Sequence, residues 1–352
     1  MTNEFIKNFN YIRECFDHNY KLFSIISIYL NEYPDLIKPH AVKELLDTDG
    51  DLSESEAFGC LLASYLGIDP DEEPELEHLF NSINDLATCL DPALYKNDPY
   101  IKNINVPNVK NGEWEMTELE YKPYEGFIWN ESDINLNYRE CPRVGFFKER
   151  FSFPAVLQSG REWMAIKPNE IETMRGPIEE AKGSVITLGL GMGYYTYMVS
   201  EKKSVKKITV IERDEKVITL FKKHILPQIP CKDKISIIHS DAFDYLDTLT
   251  AVSDVDMIFA DIWHDAADGL PLYLKIKKYE DKLKNIRFSY WIEQSLISEI
   301  RSMLVQTACE QIGRDDRIDI AGREFDDFMD FHKFLSDESL RELAKKIRRA
   351  DG

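Results

Sequence analysis

Three glycines at alternate positions, Gly189, Gly191 and Gly193, stand between the apolar run Ser184–Leu188 and a helical pattern that begins at Tyr194. Glycine is needed where a chain turns sharply and where a ligand must touch the backbone. Acids then recur at the ends of the next apolar runs: Glu212, Asp241 and Asp261. Glu212 lies 23 residues after Gly189, where a carboxylate can accept hydrogen bonds from two ribose hydroxyls. At Asp241-Ala242 a side-chain oxygen can meet an adenine amino group, and the Ala242 amide can meet a ring nitrogen. Asp261 falls beside the place where a reacting group would lie. Each acid alone would also serve as the N-cap of a following helix. Together, after one glycine turn, they make a coherent nucleoside site.

The loop after Asp261 reads Ile262-Trp263-His264-Asp265. His264 is a candidate general base, because imidazole titrates near neutrality; a loop histidine held by a carboxylate is the structural alternative. Trp263 offers a face to a cation or substrate, or packs over the sheet edge. Glu170, in a helix-start signature after Pro168, either faces the ligand or complements the helix dipole.

The elements that must position these residues alternate. Runs at Ser184–Leu188, Lys207–Ile211, Ile235–His239, Asp256–Ala260 and Ile286–Ile292 are separated by helical patterns. Continuous apolar strands between amphipathic helices predict an α/β fold, a doubly wound, mostly parallel, Rossmann-like sheet covered on both faces. The spacing divides the chain into a helical N-terminal domain (1–105), a small β-rich connector (106–166), the nucleoside-binding module (167–312) and a helical C-terminal extension (313–352). In the connector, β-type runs are expected at Trp114–Tyr121, Val144–Phe153 and Glu162–Ile166. No hairpin is expected in 296–352.

Gly189-x-Gly191-x-Gly193, Glu212, Asp241-Ala242 and Asp261 resemble the successive motifs of class I S-adenosylmethionine-dependent methyltransferases. The resemblance spans about 166–295. It implies the glycine turn against the methionine part of S-adenosyl-L-methionine, Glu212 on its ribose, Asp241 and Ala242 on its adenine, and Asp261 near the sulfonium. A dinucleotide fingerprint would need glycine at 194, where Tyr194 stands. Family sheets usually end in an antiparallel pair after the fifth strand. The Asn/Asp-Pro-Pro-Tyr/Phe motif of amine methylases is absent after strand four. Spermidine synthase and its kin share the fold, with a β-rich N-terminal domain and an Asp-x-x-Asp loop at this place; here the second acid, Asp265, is one residue later. Catechol O-methyltransferase has a locally similar Asp-x-Trp-x-Asp pattern, which implies Mg²⁺ on Asp261 with an acid such as Glu293. The expected activity is methyl transfer to a small molecule, with Asp261 and His264 catalytic. The alternatives are aminopropyl transfer and a non-catalytic nucleoside-binding scaffold.

Composition limits the partners. The 352 residues carry a formal net charge of −20, with 43% hydrophobic and 30% charged residues, an ordinary globular balance. Residues 1–110 hold 20 acids and 8 bases, whereas 183–285 hold 15 of each. A negative surface repels phosphate backbones, so nucleic acid is disfavoured. The lysine clusters at 202–207 and 275–284, and the tail from Lys345 to Arg349, read as solvated helix faces and ends. The acids Asp47, Asp49 and Glu56 fall near EF-hand spacing around Gly50, but Leu45 holds the first ligand position, which predicts an acidic helix–helix turn. Six widely spaced cysteines include no C-x-x-C pair, which fits a reducing, cytoplasmic setting. The apolar stretch Leu22–Leu30 is too short to span a bilayer.

Overall fold

The structure is a computed structural model, and it describes residues 3–134, 138–312 and 318–347. The first part is helical: α1 (Asn3–Glu32), α2 (Pro39–Thr48), α3 (Glu54–Tyr65) and α4 (Glu77–Leu86). Ser53 starts α3 with a capping box, in which its hydroxyl accepts from the Glu56 amide and the Glu56 carboxylate accepts from the Ser53 amide. Asp49 likewise accepts from the Asp51 amide. Asp49 and Glu56 are therefore engaged in turn and cap, as the helix–helix turn predicts.

The helical region does not stand apart from the connector. A short strand, β1 (Ala87–Cys89), precedes α5 (Pro92–Lys96) and α6 (Pro99–Asn103). The connector strands are β2 (Val109–Asn111), β3 (Trp114–Tyr121), β4 (Phe127–Ile134), β5 (Glu140–Phe146), β6 (Phe151–Gln158) and β7 (Arg161–Ala165). β1 pairs parallel with β5, which pairs antiparallel with β4. The other four form an antiparallel sheet in the order β2-β3-β6-β7. The expected run Val144–Phe153 is two strands in two sheets, because the charged Lys148-Glu149-Arg150 turn interrupts it. β4 was not anticipated; its Trp129-Asn130-Glu131-Ser132 stretch breaks the apolar alternation, and its pairing carries register shifts.

The module follows as α7 (Pro168–Glu180), β8 (Gly183–Leu188), α8 (Tyr194–Ser200), β9 (Val205–Glu212), α9 (Glu215–Leu220), β10 (Ile235–His239), α10 (Ala242–Thr248), β11 (Met257–Ala260), α11 (Ala266–Lys282), β12 (Arg287–Tyr290) and α12 (Glu293–Gln311). Its five strands are all parallel, in the order β10-β9-β8-β11-β12. Numbered within the module this is 3-2-1-4-5, so the chain reverses direction across the sheet between its first and fourth strands, where open α/β sheets form a ligand crevice. β11 shows why the central strands read as continuous apolar runs: Met257, Ile258, Phe259 and Ala260 are all at most 1% exposed, because helices cover both faces. Each large side chain so buried contributes roughly 2 kcal/mol.

The last part corrects the expectation of a purely helical extension. β13 (Ile318–Ile320) and β14 (Arg323–Phe325) form an antiparallel hairpin, followed by α13 (Phe328–Phe334) and α14 (Asp337–Lys346). Ala321 and Gly322 turn it with positive φ. It pairs with no strand of the parallel sheet. Instead, Phe325 and Phe331 pack with Phe5 and Phe9 of α1 in a separate buried cluster. Of the basic tail, Arg348 and Arg349 lie outside the described residues. No helix among the described residues is long and apolar enough to cross a membrane.

Candidate active site

Strand register assembles the site. Leu188 pairs with Ile211 on one side and with Ala260 on the other, and Ala260 pairs with Tyr290. The next row along the sheet therefore brings Gly189, Glu212, Asp261 and Trp291 abreast. Backbone bonds extend the ladder past the strand ends: Gly189 N to Ile211 O (2.9 Å), Asp261 N to Leu188 O (2.9 Å) and Trp291 N to Ala260 O (3.0 Å).

The glycine turn is built as the sequence requires. Gly189, Gly191 and Gly193 have φ of 97°, 52° and 74°, the left-handed region where a side chain is strained. A Cβ would also collide with the Asp261 carbonyl at 189, with Met164 Sδ at 191 and with the Phe221 ring at 193. The Leu190 amide donates to Glu212 Oε2 (3.1 Å), and the Asp214 amide donates to Glu212 Oε1 (2.8 Å). Glu212 thus fastens the turn to the end of β9 while its remaining lone pairs face the cavity. The Met192 amide meets Met164 Sδ at 3.0 Å. Gly191 lines the cavity, and its amide has no partner among the described residues.

That cavity measures about 320 Å³, within the range of small-ligand sites. Gly189, Gly191, Glu212, Asp241, Ala242, Asp261, Trp263 and His264 all line it, as does Glu170. Gly193 turns away to begin α8. Asp241 has two engagements at one oxygen, accepting from the Phe243 and Asp244 amides (2.8 and 3.3 Å) as the N-cap of α10. Its other carboxyl oxygen carries no cap bond. Sequence reasoning had not singled out Trp163, Met164, Lys167, Arg213, Phe243 or Trp291, which complete the wall. The connector residues among them carry no motif; β7 delivers them by ending over the glycine turn. For Trp291 the signal was available, since it directly follows the fifth strand.

Electrostatics in the cavity are unbalanced. Burial, then the charge of Glu212, pushes the Asp261 carboxyl up to about 7. Burial, then the charge of Asp261, holds Glu170 well above the usual carboxylate range. Glu170 is 7% exposed and its Oε1 is buried without a hydrogen-bond partner. Lys167 is a cation in the wall, but it pairs with Glu162 at 2.5 Å. Arg213 is the other cation in the wall, and five carboxyl side chains against these two bases favour a cationic ligand.

Two expectations at the loop are corrected. Asp265 does not line the cavity: its Oδ1 accepts from the Ala267 and Asp268 amides (2.8 and 3.1 Å) and caps α11. Glu293 points into a different network, taking the Tyr273 hydroxyl (2.9 Å) and Arg341 Nε (3.0 Å). The acids of the Mg²⁺ reading are therefore not brought together, and no cluster of three or more metal-binding side chains occurs among the described residues. His264 places its amide 3.0 Å from Asp268 Oδ1. The lysine clusters are also less uniform than solvated faces. Lys202 Nζ reaches the Glu179 carbonyl (2.7 Å), and Lys277 is 3% exposed.

Residues 171–285 match the family model described as the spermine/spermidine synthase domain, about a third of the chain. A search of curated proteins finds no match. Among solved structures, spermidine synthase from Thermotoga maritima is similar at 16% identity, covering 44% of this chain and 59% of that one, with a TM-score of 0.32. A spermidine synthase in complex with the transition state analogue AdoDATO gives 16%, 44%, 58% and 0.32 in the same order. A conserved hypothetical protein from Streptococcus pyogenes gives 17%, 30%, 62% and 0.25. The chain thus spans less than two thirds of each of these proteins. Over residues 171–285 it is similar to a spermine/spermidine synthase domain, and its parallel sheet in the order 3-2-1-4-5 is a Rossmann-like fold.

Proposed function

We propose that the module binds a nucleoside sulfonium of the S-adenosyl-L-methionine class and transfers its methyl group to a small molecule. The observation that carries this reading is the meeting, in one cavity, of the Gly189 and Gly191 backbone, Glu212 abreast of it and two undercompensated carboxyls, Asp261 and Glu170. The residues fit such a donor. Glu212 has acceptor capacity left for ribose hydroxyls, Asp241 and the Ala242 amide can address the base, and Phe243 offers an aromatic face beside it. The Gly191 amide is free for the amino-acid end. When bound, the sulfonium supplies an electrophilic carbon.

The chain's own part is positioning and proton handling. Trp163, Trp263 and Trp291 line the cavity and offer flat faces that would hold an acceptor in line with the carbon it attacks. On methyl transfer the Asp261 carboxylate would take the proton that the acceptor loses, the sulfonium leaving as a neutral thioether. A base that titrates near 7 is well matched to that task. His264, in the same wall, is the second candidate to receive it.

Aminopropyl transfer is a second reading, favoured by the spermine/spermidine synthase match over 171–285 and by the carboxylate excess, which suits a donor without its own carboxylate. Asp265, turned away into its helix cap, weighs against a diamine bound between two loop acids.

Calorimetry with S-adenosylhomocysteine tests the donor class. Binding is expected, and Glu212→Ala should weaken it at least tenfold, a loss of about 1.4 kcal/mol. Absence of binding, or undiminished binding by the variant, overturns the reading. Thermal-shift comparison of S-adenosylmethionine with its decarboxylated form separates the two transfers: a clear preference for the carboxylated donor supports methyl transfer.

A further inference from the structure

The Gly189–Gly193 turn is fastened on its far side by the segment that ends the acidic helical region. Asp98 and Tyr100 belong to α6 and its cap, about ninety residues before the turn in sequence. Tyr100 is completely buried and donates its hydroxyl to the Met192 carbonyl at 2.6 Å. Asp98, 7% exposed, performs two tasks with its two oxygens. Oδ1 accepts from the Tyr100 amide (2.8 Å) and caps α6. Oδ2 accepts from the hydroxyl of Tyr194, the first residue of α8, at 3.0 Å. The Tyr100 ring lies 5.7 Å from that of Tyr194 and 5.5 Å, edge-on, from that of Tyr197. One carboxylate and one phenol therefore fix both the Met192 carbonyl of the turn and the helix that leaves it.

We propose that Asp98 and Tyr100 are positioning residues for the donor, so that the docked end of the acidic N-terminal region sets the geometry of the glycine turn. The physical reason is the turn's construction. Three left-handed glycines at alternate positions leave the backbone without a regular hydrogen-bond ladder, its internal bond running from the Gly193 amide to the Leu190 carbonyl (2.8 Å). Its carbonyl at Met192 is satisfied from outside, by Tyr100 alone among the described residues. Loss of that hydroxyl leaves a buried carbonyl without a donor. The turn then relaxes toward other conformations, and the Gly191 amide loses its fixed direction. This inference rests on the reading of the cavity as a sulfonium-nucleoside site, and it assigns to the N-terminal region a part in that site.

The test uses the full chain with Tyr100→Phe, which keeps the buried ring and removes only the hydroxyl. Hydrogen exchange in the free protein reads the brace itself: amides at 190–194 should exchange about tenfold faster, with β8 and β9 unchanged. Calorimetry reads its consequence: S-adenosylhomocysteine should bind about tenfold more weakly, while adenosine, which needs Glu212 and Asp241 but not the Gly191 amide, should bind as before. Asn103→Ala is the control, since Asn103 holds the Tyr197 hydroxyl (2.9 Å) but no atom of the turn; it should leave both measurements unchanged. Unaltered exchange at 190–194 overturns the proposal, and so does equal weakening of both ligands. Should the unaltered protein bind neither ligand, the donor reading fails, while the exchange result still decides the brace. If Tyr100→Phe does not fold, Asp98→Asn, which retains a side-chain oxygen for the cap, is judged by the same two readouts.

Discussion

At the scale of single residues, the cavity is governed by carboxylates that are short of partners. Asp261 shows the consequence most directly. In the unfolded chain its pKa is near 3.9, and in the fold burial and the charge of Glu212 raise it to about 7. Below pH 4 both states hold the proton, and Asp261 makes no demand on stability. Between pH 4 and 7 the folded state keeps a proton that the unfolded state has released, so stability falls as pH rises, by up to roughly 1.4 kcal/mol per pH unit. Above 7 the loss is complete. Asp261→Asn removes this dependence. Its melting temperature relative to the unaltered protein should therefore be clearly higher at pH 8 than at pH 4, while transferase activity is lost. A melting difference that does not change with pH would contradict the assignment. Glu170 belongs to the same group: its buried Oε1 has no hydrogen-bond partner among the described residues, so helix-dipole complementarity, the alternative that sequence alone left equal, does not account for it.

At the scale of elements, the loop after β11 separates residues that are adjacent in sequence. Trp263 and His264 face the cavity, whereas Asp265 begins α11. The Asp265–Asp268 capping box satisfies amides that a helix start would otherwise leave bare. Asp265→Ala should cost about 1 kcal/mol, a fall in melting temperature of roughly 2 °C for a chain of this size. Affinity for S-adenosylhomocysteine should not change. A large loss of affinity with intact stability would return Asp265 to the cavity. Ile292 is another product of element geometry. It stands between β12 and α12 with φ of 48°, a rare state for a β-branched residue. That backbone turn separates Trp291, which lines the cavity, from Glu293, which does not.

At the scale of the whole molecule, the outer regions are wedded to the module through buried polar groups. Lys277 of α11 pairs with Glu280 at 2.5 Å and lies 3.8 Å from Glu293. Glu293 also holds Arg341 of α14, and Glu280 also holds Lys345 (3.3 Å). Tyr273 and Tyr290 donate hydroxyls to the same two acids. Removing one member leaves the others uncompensated in a low dielectric. Lys277→Ala should cost about 3 kcal/mol, and limited proteolysis should then release α14 before it cuts the module. Unchanged stability would mean that the network is solvated. The hairpin β13–β14 makes the same point with apolar groups, because it closes against α1 rather than extending the parallel sheet.

The legible part of this protein was its module. All five parallel strands and the strand-end acids could be read, because strands covered on both faces must be continuously apolar and a glycine turn leaves a signature in residue type. The connector was read less well. Its strands mix buried with exposed and charged positions, and an apolar run such as 144–153 does not announce that it changes sheets. Burial of polar groups and pairing across distance were not legible. Glu170 and Lys277 look like surface residues in sequence, and only packing shows them enclosed. Tyr100 and Met192 meet because α6 docks on α8, a contact between chain segments 92 residues apart. The sequence by itself determined which residues could address a nucleoside, since that depends on residue type and on local spacing. Only the tertiary structure decided which of them face the cavity, which cap helices and what holds the turn, since register and docking are settled by the packing of distant parts against one another.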